Sequence, residues 1–205
     1  MFKSDNIRSF IQFLKYAGIP TVNAPGDAEA WASLYVSNGI AKAVISDDTD
    51  CLPFGAKLVI RGMSSSSADF DKLEQIDLEK CISLLNLDQS QFVDLCILLG
   101  TDYNSLSFQP ENALALIRKY KSLENIHDAL LTVSADQLDE AIFVRAIFAR
   151  STTRVELPEI INWFDYDIHN IKKFLKSLYM DKAKLQDIIS SIEMIKPVCN
   201  SVDIF

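Results

Sequence analysis

Apolar positions along this chain follow two rhythms, and the rhythm changes partway along. Over residues 5–16, Ile7, Phe10, Ile11, Phe13 and Leu14 fall at helical spacing, with a stop expected at Gly18. Residues 19–22 form a short extended run before Pro25. Residues 27–38 read as a helix with Ala28, Trp31, Ala32 and Tyr35 on its inner face, closed by Gly39. Residues 41–46 and 57–61 are short apolar strands, and residues 63–68, with four consecutive serines, are expected as a surface loop. This alternation predicts an α/β layer with a mainly parallel sheet.

From Asp77 onward the spacing is almost wholly helical. Asp77 caps residues 78–85, and Asp88 with Gln91 forms a capping box opening a helix through Leu99. Pro110 begins the next helix, which runs to Tyr120. Further helices are expected over 136–149, 168–178 and 182–195. The chain therefore divides into an α/β region over 1–104, a helical region over 105–195 and a tail over 196–205. No linker signature separates the first two, which read as one compact unit.

Composition narrows the picture only a little. At 205 residues, 49% hydrophobic and 23% charged, the chain can bury a sizeable core. No stretch resembles a signal peptide, and the longest apolar runs, such as Leu95 to Leu99, are too short to cross a bilayer, so no membrane role is expected. Cys51, Cys81, Cys96 and Cys199 lie scattered without paired spacing, as buried thiols in a reducing compartment would. His127 and His169 have no partner at metal-ligand spacing. The net charge of −8 counts against a duplex-binding surface, which is usually basic.

Five carboxylates carry the chemistry. They stand in Ala-Pro-Gly-Asp27-Ala-Glu29-Ala, Ile-Ser-Asp-Asp48-Thr-Asp50-Cys and Leu-Leu-Gly-Thr-Asp102-Tyr, each at the edge of an apolar run. Asp48 and Asp50 follow a strand at i and i+2, which in extended backbone places both on one face. The carboxyl end of a parallel strand is where open α/β sheets put their ligands. Asp27 and Glu29 begin a helix, and Asp102 lies on a turn after Gly100. Gathering such acids is unfavourable unless cations lie between them, and hard oxygen donors suit Mg²⁺, with Mn²⁺ as substitute. Each cluster alone has a plainer reading as a helix cap or turn, and Asp48-Thr-Asp50 also fits a haloacid-dehalogenase-type phosphatase. Together they point to a divalent-metal site and to phosphoryl transfer.

The words around these acids carry a resemblance. Gly-Ile-Pro-Thr-Val-Asn-Ala-Pro-Gly-Asp27-Ala-Glu29-Ala, Asp48-Thr-Asp50-Cys-Leu-Pro-Phe-Gly and Gln-Phe-Val-Asp-Leu-Cys-Ile-Leu-Leu-Gly-Thr-Asp102-Tyr closely resemble the internal region of flap endonucleases of the XPG type. Leu-Ile-Arg-Lys-Tyr-Lys-Ser-Leu-Glu-Asn-Ile and Phe-Leu-Lys-Ser-Leu-Tyr extend it over roughly residues 5 to 195. The resemblance implies a PIN-like, Rossmann-like core followed by an all-helical region. It also implies metal-dependent hydrolysis of DNA phosphodiesters at duplex/single-strand junctions, in repair or replication. Asp27 and Glu29 would serve one of two Mg²⁺ ions and Asp48 and Asp50 the other, with Asp102 beside them. An intracellular site of action is expected, nuclear in a eukaryote.

Three departures qualify the expectation. Asp27 stands where the family usually has glutamate, one methylene longer. The family's amino-terminal region, with its first strand and two further metal-binding aspartates, has no counterpart in these residues. That leaves a fragment, a split protein completed by a partner chain, or a reduced relative, with a fragment ranked first. After Asp102 the family has a glycine-rich turn and a basic helix start. Here the stretch is Asn-Ser-Leu-Ser-Phe-Gln-Pro110-Glu111-Asn112-Ala113, and duplex binding through this degenerate helix-turn-helix element should be weakened. Arg118, Lys119, Lys121, Lys172, Lys173, Lys176, Lys182 and Lys184 read first as solvated helix faces. Trp31 and Trp163 read as core. Val202-Asp-Ile-Phe205 has a faint likeness to a sliding-clamp-binding tail but lacks its leading glutamine and second aromatic. The reading is a flap-endonuclease-like nuclease, with a non-catalytic scaffold for protein or RNA as the alternative.

Overall fold

The structure, a computed structural model, describes residues 4–63, 73–130, 132–150, 164–178 and 182–201. The expected serine loop, apart from Met63, lies outside these residues, as do Trp163 and the tail from Val202 to Phe205. In chain order the helices are α1 (Ser4–Tyr16), α2 (Ala28–Ser37), α3 (Leu78–Leu85), α4 (Gln89–Leu99), α5 (Pro110–Tyr120), α6 (Leu123–Leu130), α7 (Ala135–Arg150), α8 (Ile168–Ser177) and α9 (Lys182–Ser201). The strands are β1 (Val44–Ile45), β2 (Leu58–Arg61) and β3 (Glu74–Asp77), and a single 3-10 turn spans Thr49–Cys51.

The chain forms two compact units, Met1–Asn23 with Pro158–Phe205, and Ala24–Leu157. Absence of a linker had suggested one. The reason is an association remote in sequence: in the smaller unit α1 packs on α8 and α8 on α9. Phe13 and Phe174 meet with ring centroids 5.8 Å apart. Gly18, at φ +73°, lets the backbone run against Phe164, whose N–H donates to the Gly18 carbonyl at 3.0 Å. A Cβ at Gly18 would collide with the Phe164 carbonyl, so this position requires glycine.

The larger unit holds the sheet. Its strand order is β1-β2-β3, with β1 parallel to β2 and β2 antiparallel to β3. Among the described residues the sheet is thus mixed. β3 (Glu-Gln-Ile-Asp) lacks apolar alternation, and its pairing with β2 rather than its own composition makes it a strand. β1 is shorter than the run 41–46 suggests, and residues 19–22 join no strand. In α2 the buried run is Ser33, Leu34, Tyr35 and Val36, whereas Ala28 is exposed and Trp31 half-buried, so the expected inner face shifts toward the helix's second half.

Two apolar clusters hold this unit. One (Val36, Val44, Cys51, Ala56 and Val59) lies between α2 and the sheet. The other joins Phe54 to α4, α5, α6 and α7 through Leu98, Leu106, Ile117, Ile126 and Val144. The second cluster runs continuously across residue 104, where the sequence reading drew its boundary. Helix α6 adds to it through Leu123 and Ile126, both fully buried.

Candidate metal centre

Local capping sets each acidic segment. Asp27, extended at φ −66° and ψ 127°, is the N-cap of α2, and its Oδ1 accepts the N–H groups of Glu29 (2.9 Å) and Ala30 (3.3 Å). That cap places Glu29 in the first helical turn. Asp48 repeats the device three residues beyond β1: its Oδ1 accepts the Asp50 N–H at 2.9 Å and starts the 3-10 turn. The expected strand face carrying both Asp48 and Asp50 is therefore a capped turn, with Asp48 as the cap and Asp50 inside it. Asp102 is exposed on the turn after α4, where Gly100 adopts φ +107° and lies against the Leu106 carbonyl. Asn104 closes that turn, accepting the Thr101 N–H at 3.0 Å and donating to the Ile97 carbonyl at 2.9 Å.

Electrostatics shows that these segments converge. Burial pushes the Asp50 carboxyl up to about 6, and the charges of Asp48, Asp102, Asp27 and Glu29 add to that push. Glu29 is raised by burial first and then by Asp27 and Asp48. Asp27 goes the other way. Burial works against its charge, but hydrogen bonds from Tyr103 and from the N–H groups of Ala30 and Glu29 hold it below the usual range. The other four acids named from the sequence thus lie within electrostatic reach of Asp50.

Two residues that the sequence reading passed over organise the site. Ser33 is fully buried, and its Oγ lies 2.7 Å from the Glu29 carbonyl and 3.2 Å from the Cys51 carbonyl, tying α2 to the 3-10 turn. A serine inside an apolar helical run was the available signal. Tyr103 donates its hydroxyl to Asp27 Oδ2 across 76 residues of sequence. Nothing local could announce that bond.

The donor set fits a hard cation. It is all carboxylate oxygen, it concentrates negative charge, and Mg²⁺ needs only one or two direct carboxylates beside its retained waters. Among the described residues no group of three or more His, Cys, Asp or Glu is drawn close enough to hold a metal ion directly. The other candidate contacts are plain: Lys172, Lys173, Lys176, Lys182 and Lys184 are exposed on α8 and α9. Glu111 is exposed in the first turn of α5, whose N-cap Gln109 makes no side-chain capping bond.

Comparison with known proteins bears on this geometry. Residues 18–102 match the XPG I-region family. Flap endonuclease 1 of Methanosphaera stadtmanae is 40% identical over 169 residues, covering 82% of this chain and 48% of the relative. That of Macaca fascicularis is 40% identical over 175 residues, covering 84% and 40%. The chain thus spans about half or less of these relatives' length. The flap endonuclease-1 structure from Methanococcus jannaschii superposes with a TM-score of 0.78 at 24% identity, over 93% of this chain and 58% of that one. The catalytic core of Rad2 in complex with DNA substrate superposes at 0.73 and 21% identity, over 94% and 71%. These structures share the fold, which is that of the PIN-like nucleases. The I-region that matches encloses all five carboxylates, and the chain belongs to the XPG-type flap endonuclease family.

Proposed function

We propose that this chain carries the metal-binding part of a structure-specific DNA nuclease that hydrolyses phosphodiesters where duplex meets single strand, as in a 5′ flap. The supporting observation is the position of Asp50, raised to about 6 within reach of four other carboxylates, all inside the segment that matches the XPG I-region. The relatives are flap endonucleases, and one structural neighbour is in complex with DNA substrate. Acting on DNA, it would work inside the cell, and in the nucleus where there is one.

In this reading Asp27 and Glu29 serve one Mg²⁺, Asp48 and Asp50 the other, and Asp102 flanks them. When bound, such ions would supply an activated water and stabilise charge on the leaving oxygen. The protein side of the reaction is positioning. Oδ1 of Asp27 accepts two N–H groups and Oδ2 the Tyr103 hydroxyl, an arrangement in which Asp27 would serve a cation through water. Asp48 spends Oδ1 on the Asp50 N–H and offers Oδ2. Asp50, the acid under most repulsion, gains most from a cation and is the first direct ligand. Its burial also lowers the local dielectric, strengthening any charge interaction made there.

The test is Mg²⁺-dependent cleavage of an end-labelled flap duplex by the full-length or reconstituted protein, with Asp48→Ala and Asp50→Ala beside the unaltered one. Loss of cleavage in both variants with folding intact is expected. Cleavage that survives either change sinks the site assignment. The second reading, a non-catalytic scaffold, is favoured by one observation: Glu111 occupies the start of α5, where a phosphate would meet a negative charge. Absence of cleavage with both Mg²⁺ and Mn²⁺ would make that reading the better one.

A further inference from the structure

The three acidic segments are far apart in sequence, and capping fixes each one only locally. Something must hold them in register with one another. An aromatic chain behind the site does this. The Tyr103 ring, one residue after Asp102, meets Phe148 of α7 edge-on with centroids 6.1 Å apart at 83°. Phe148 meets Phe54 edge-on at 4.8 Å and 74°. Phe54 closes the turn that carries Asp50, donating its N–H to the Asp50 carbonyl at 3.1 Å. Phe54 and Phe148 are each 1% exposed, so this contact is fixed by close packing. At the other end the Tyr103 hydroxyl donates to Asp27. One continuous path therefore joins the Asp102 turn, the Asp27 cap and the Asp50 turn, with α7 at its centre.

We propose that Tyr103 is a positioning residue for the metal centre. Its hydroxyl fixes the orientation of Asp27, and its ring, through Phe148 and Phe54, holds that carboxylate in register with Asp50. This rests on the metal-site reading and extends it to a residue that touches no cation. The hydroxyl occupies the one Asp27 oxygen that the backbone leaves open. Without it, the carboxylate keeps its backbone N–H bonds at Oδ1 but loses the bond that ties Oδ2 to the turn after α4. Outer-layer hydrogen bonds of this kind typically govern metal affinity by about 10- to 100-fold.

The test uses Tyr103→Phe, which keeps the ring on Phe148 and removes only the hydroxyl. Two readouts separate positioning from packing. In EDTA, a double-mutant cycle of Tyr103→Phe with Asp27→Ala, followed by urea unfolding, should give a coupling of several-fold to about tenfold in the unfolding constant. With metal, Mn²⁺ titration followed by electron paramagnetic resonance should show the dissociation constant raised about tenfold or more in Tyr103→Phe. A Phe148→Leu variant, which keeps the hydroxyl and loosens its support, should show a smaller rise. An unchanged Mn²⁺ constant in Tyr103→Phe, with the unaltered chain binding normally, overturns the positioning role and leaves the metal reading intact. Failure of the unaltered chain to bind Mn²⁺ overturns both. A coupling indistinguishable from unity would show that the Tyr103–Asp27 bond does no work and likewise overturns the proposal.

Discussion

The larger unit gathers acids in two places and treats them oppositely. Asp94, 1% exposed inside α4, is met by Arg145 of α7 through Nε (2.8 Å) and Nη2 (2.9 Å). It also accepts the Leu123 N–H at 3.3 Å, and the same guanidinium reaches on to Glu124. Two acids there share one arginine. Around Asp50 five carboxylates approach one another, and among the described residues no ion pair is made to any of them. Both groups cost desolvation. Only the first has a counter-charge within the protein, although burial still holds Asp94 above the usual carboxylate range despite Arg145. That difference separates an acid kept for architecture from acids kept for a cation.

The largest effect should come from breaking the compensated group. Arg145→Met strands a buried carboxylate and is expected to cost about 3–5 kcal/mol, read as the loss of unfolding free energy in urea. Adding Asp94→Leu to that variant should restore most of the loss, since an apolar pair of similar size needs no counter-charge. If Arg145→Met costs no more than a surface pair, below about 1 kcal/mol, Asp94 does not depend on its arginine and the contrast fails.

The same contrast shows what was legible in the sequence. Asp27, Asp77 and Asp88 are all helix N-caps, and capping is decided within three residues, so most helix starts could be read directly, whereas Asp48 caps a 3-10 turn where a strand face was expected. Asp94 stood in an apolar helical run without announcing its partner, because Arg145 lies 51 residues away. Strand β3 was hidden for a related reason, since its polar residues become a strand only by pairing with β2. Helix α6 was missed although Leu123 and Ile126 have the right spacing. Tyr103 links the acidic segments through a tertiary contact that no local pattern encodes, and Ser33, visible as a serine in an apolar run, does not announce its partner there.

Ser33→Ala probes the link next. It removes a fully buried hydroxyl between the Glu29 and Cys51 carbonyls and should cost about 1–1.5 kcal/mol in urea. Mn²⁺ affinity should fall with it, because the turn carrying Asp50 loses its tie to α2. A stability loss with unaltered Mn²⁺ affinity would show that the link serves the core alone.

Asp50→Asn should have the opposite sign. In EDTA it relieves repulsion and is expected to stabilise the chain. Asp50 is only half-buried, so solvent screening limits the gain to about 1 kcal/mol. Saturating Mg²⁺ should reverse the order, raising the Tm of the unaltered chain and leaving that of Asp50→Asn nearly unmoved. Destabilisation by Asp50→Asn in EDTA would mean that the cluster is already compensated, and the comparison with Asp94 would collapse.

Acid should separate the two groups most finely, although the effect is the smallest. Hydrogen bonds from Arg145 hold Glu124 at about 2 against its ordinary 4.5. A depressed acid stabilises the fold above its unfolded value and loses that contribution as pH falls from about 4.5 toward 2. The Glu124 side chain is 41% exposed, so screening leaves roughly 0.5 kcal/mol. Asp50 runs the other way. Its folded value lies above the unfolded one, so in metal-free protein its penalty is full above about 6 and fades as pH falls toward 3.8. The loss caused by Glu124→Gln should thus be constant from pH 7 to 5 and shrink below 4.5, whereas the gain caused by Asp50→Asn should already shrink between pH 6 and 4. Urea midpoints of the two variants against the unaltered chain at pH 7, 5 and 3 read both trends. Parallel curves for the two variants would mean that the acids are held alike, and the distinction between an arginine-balanced pair and a cation-seeking cluster would be lost.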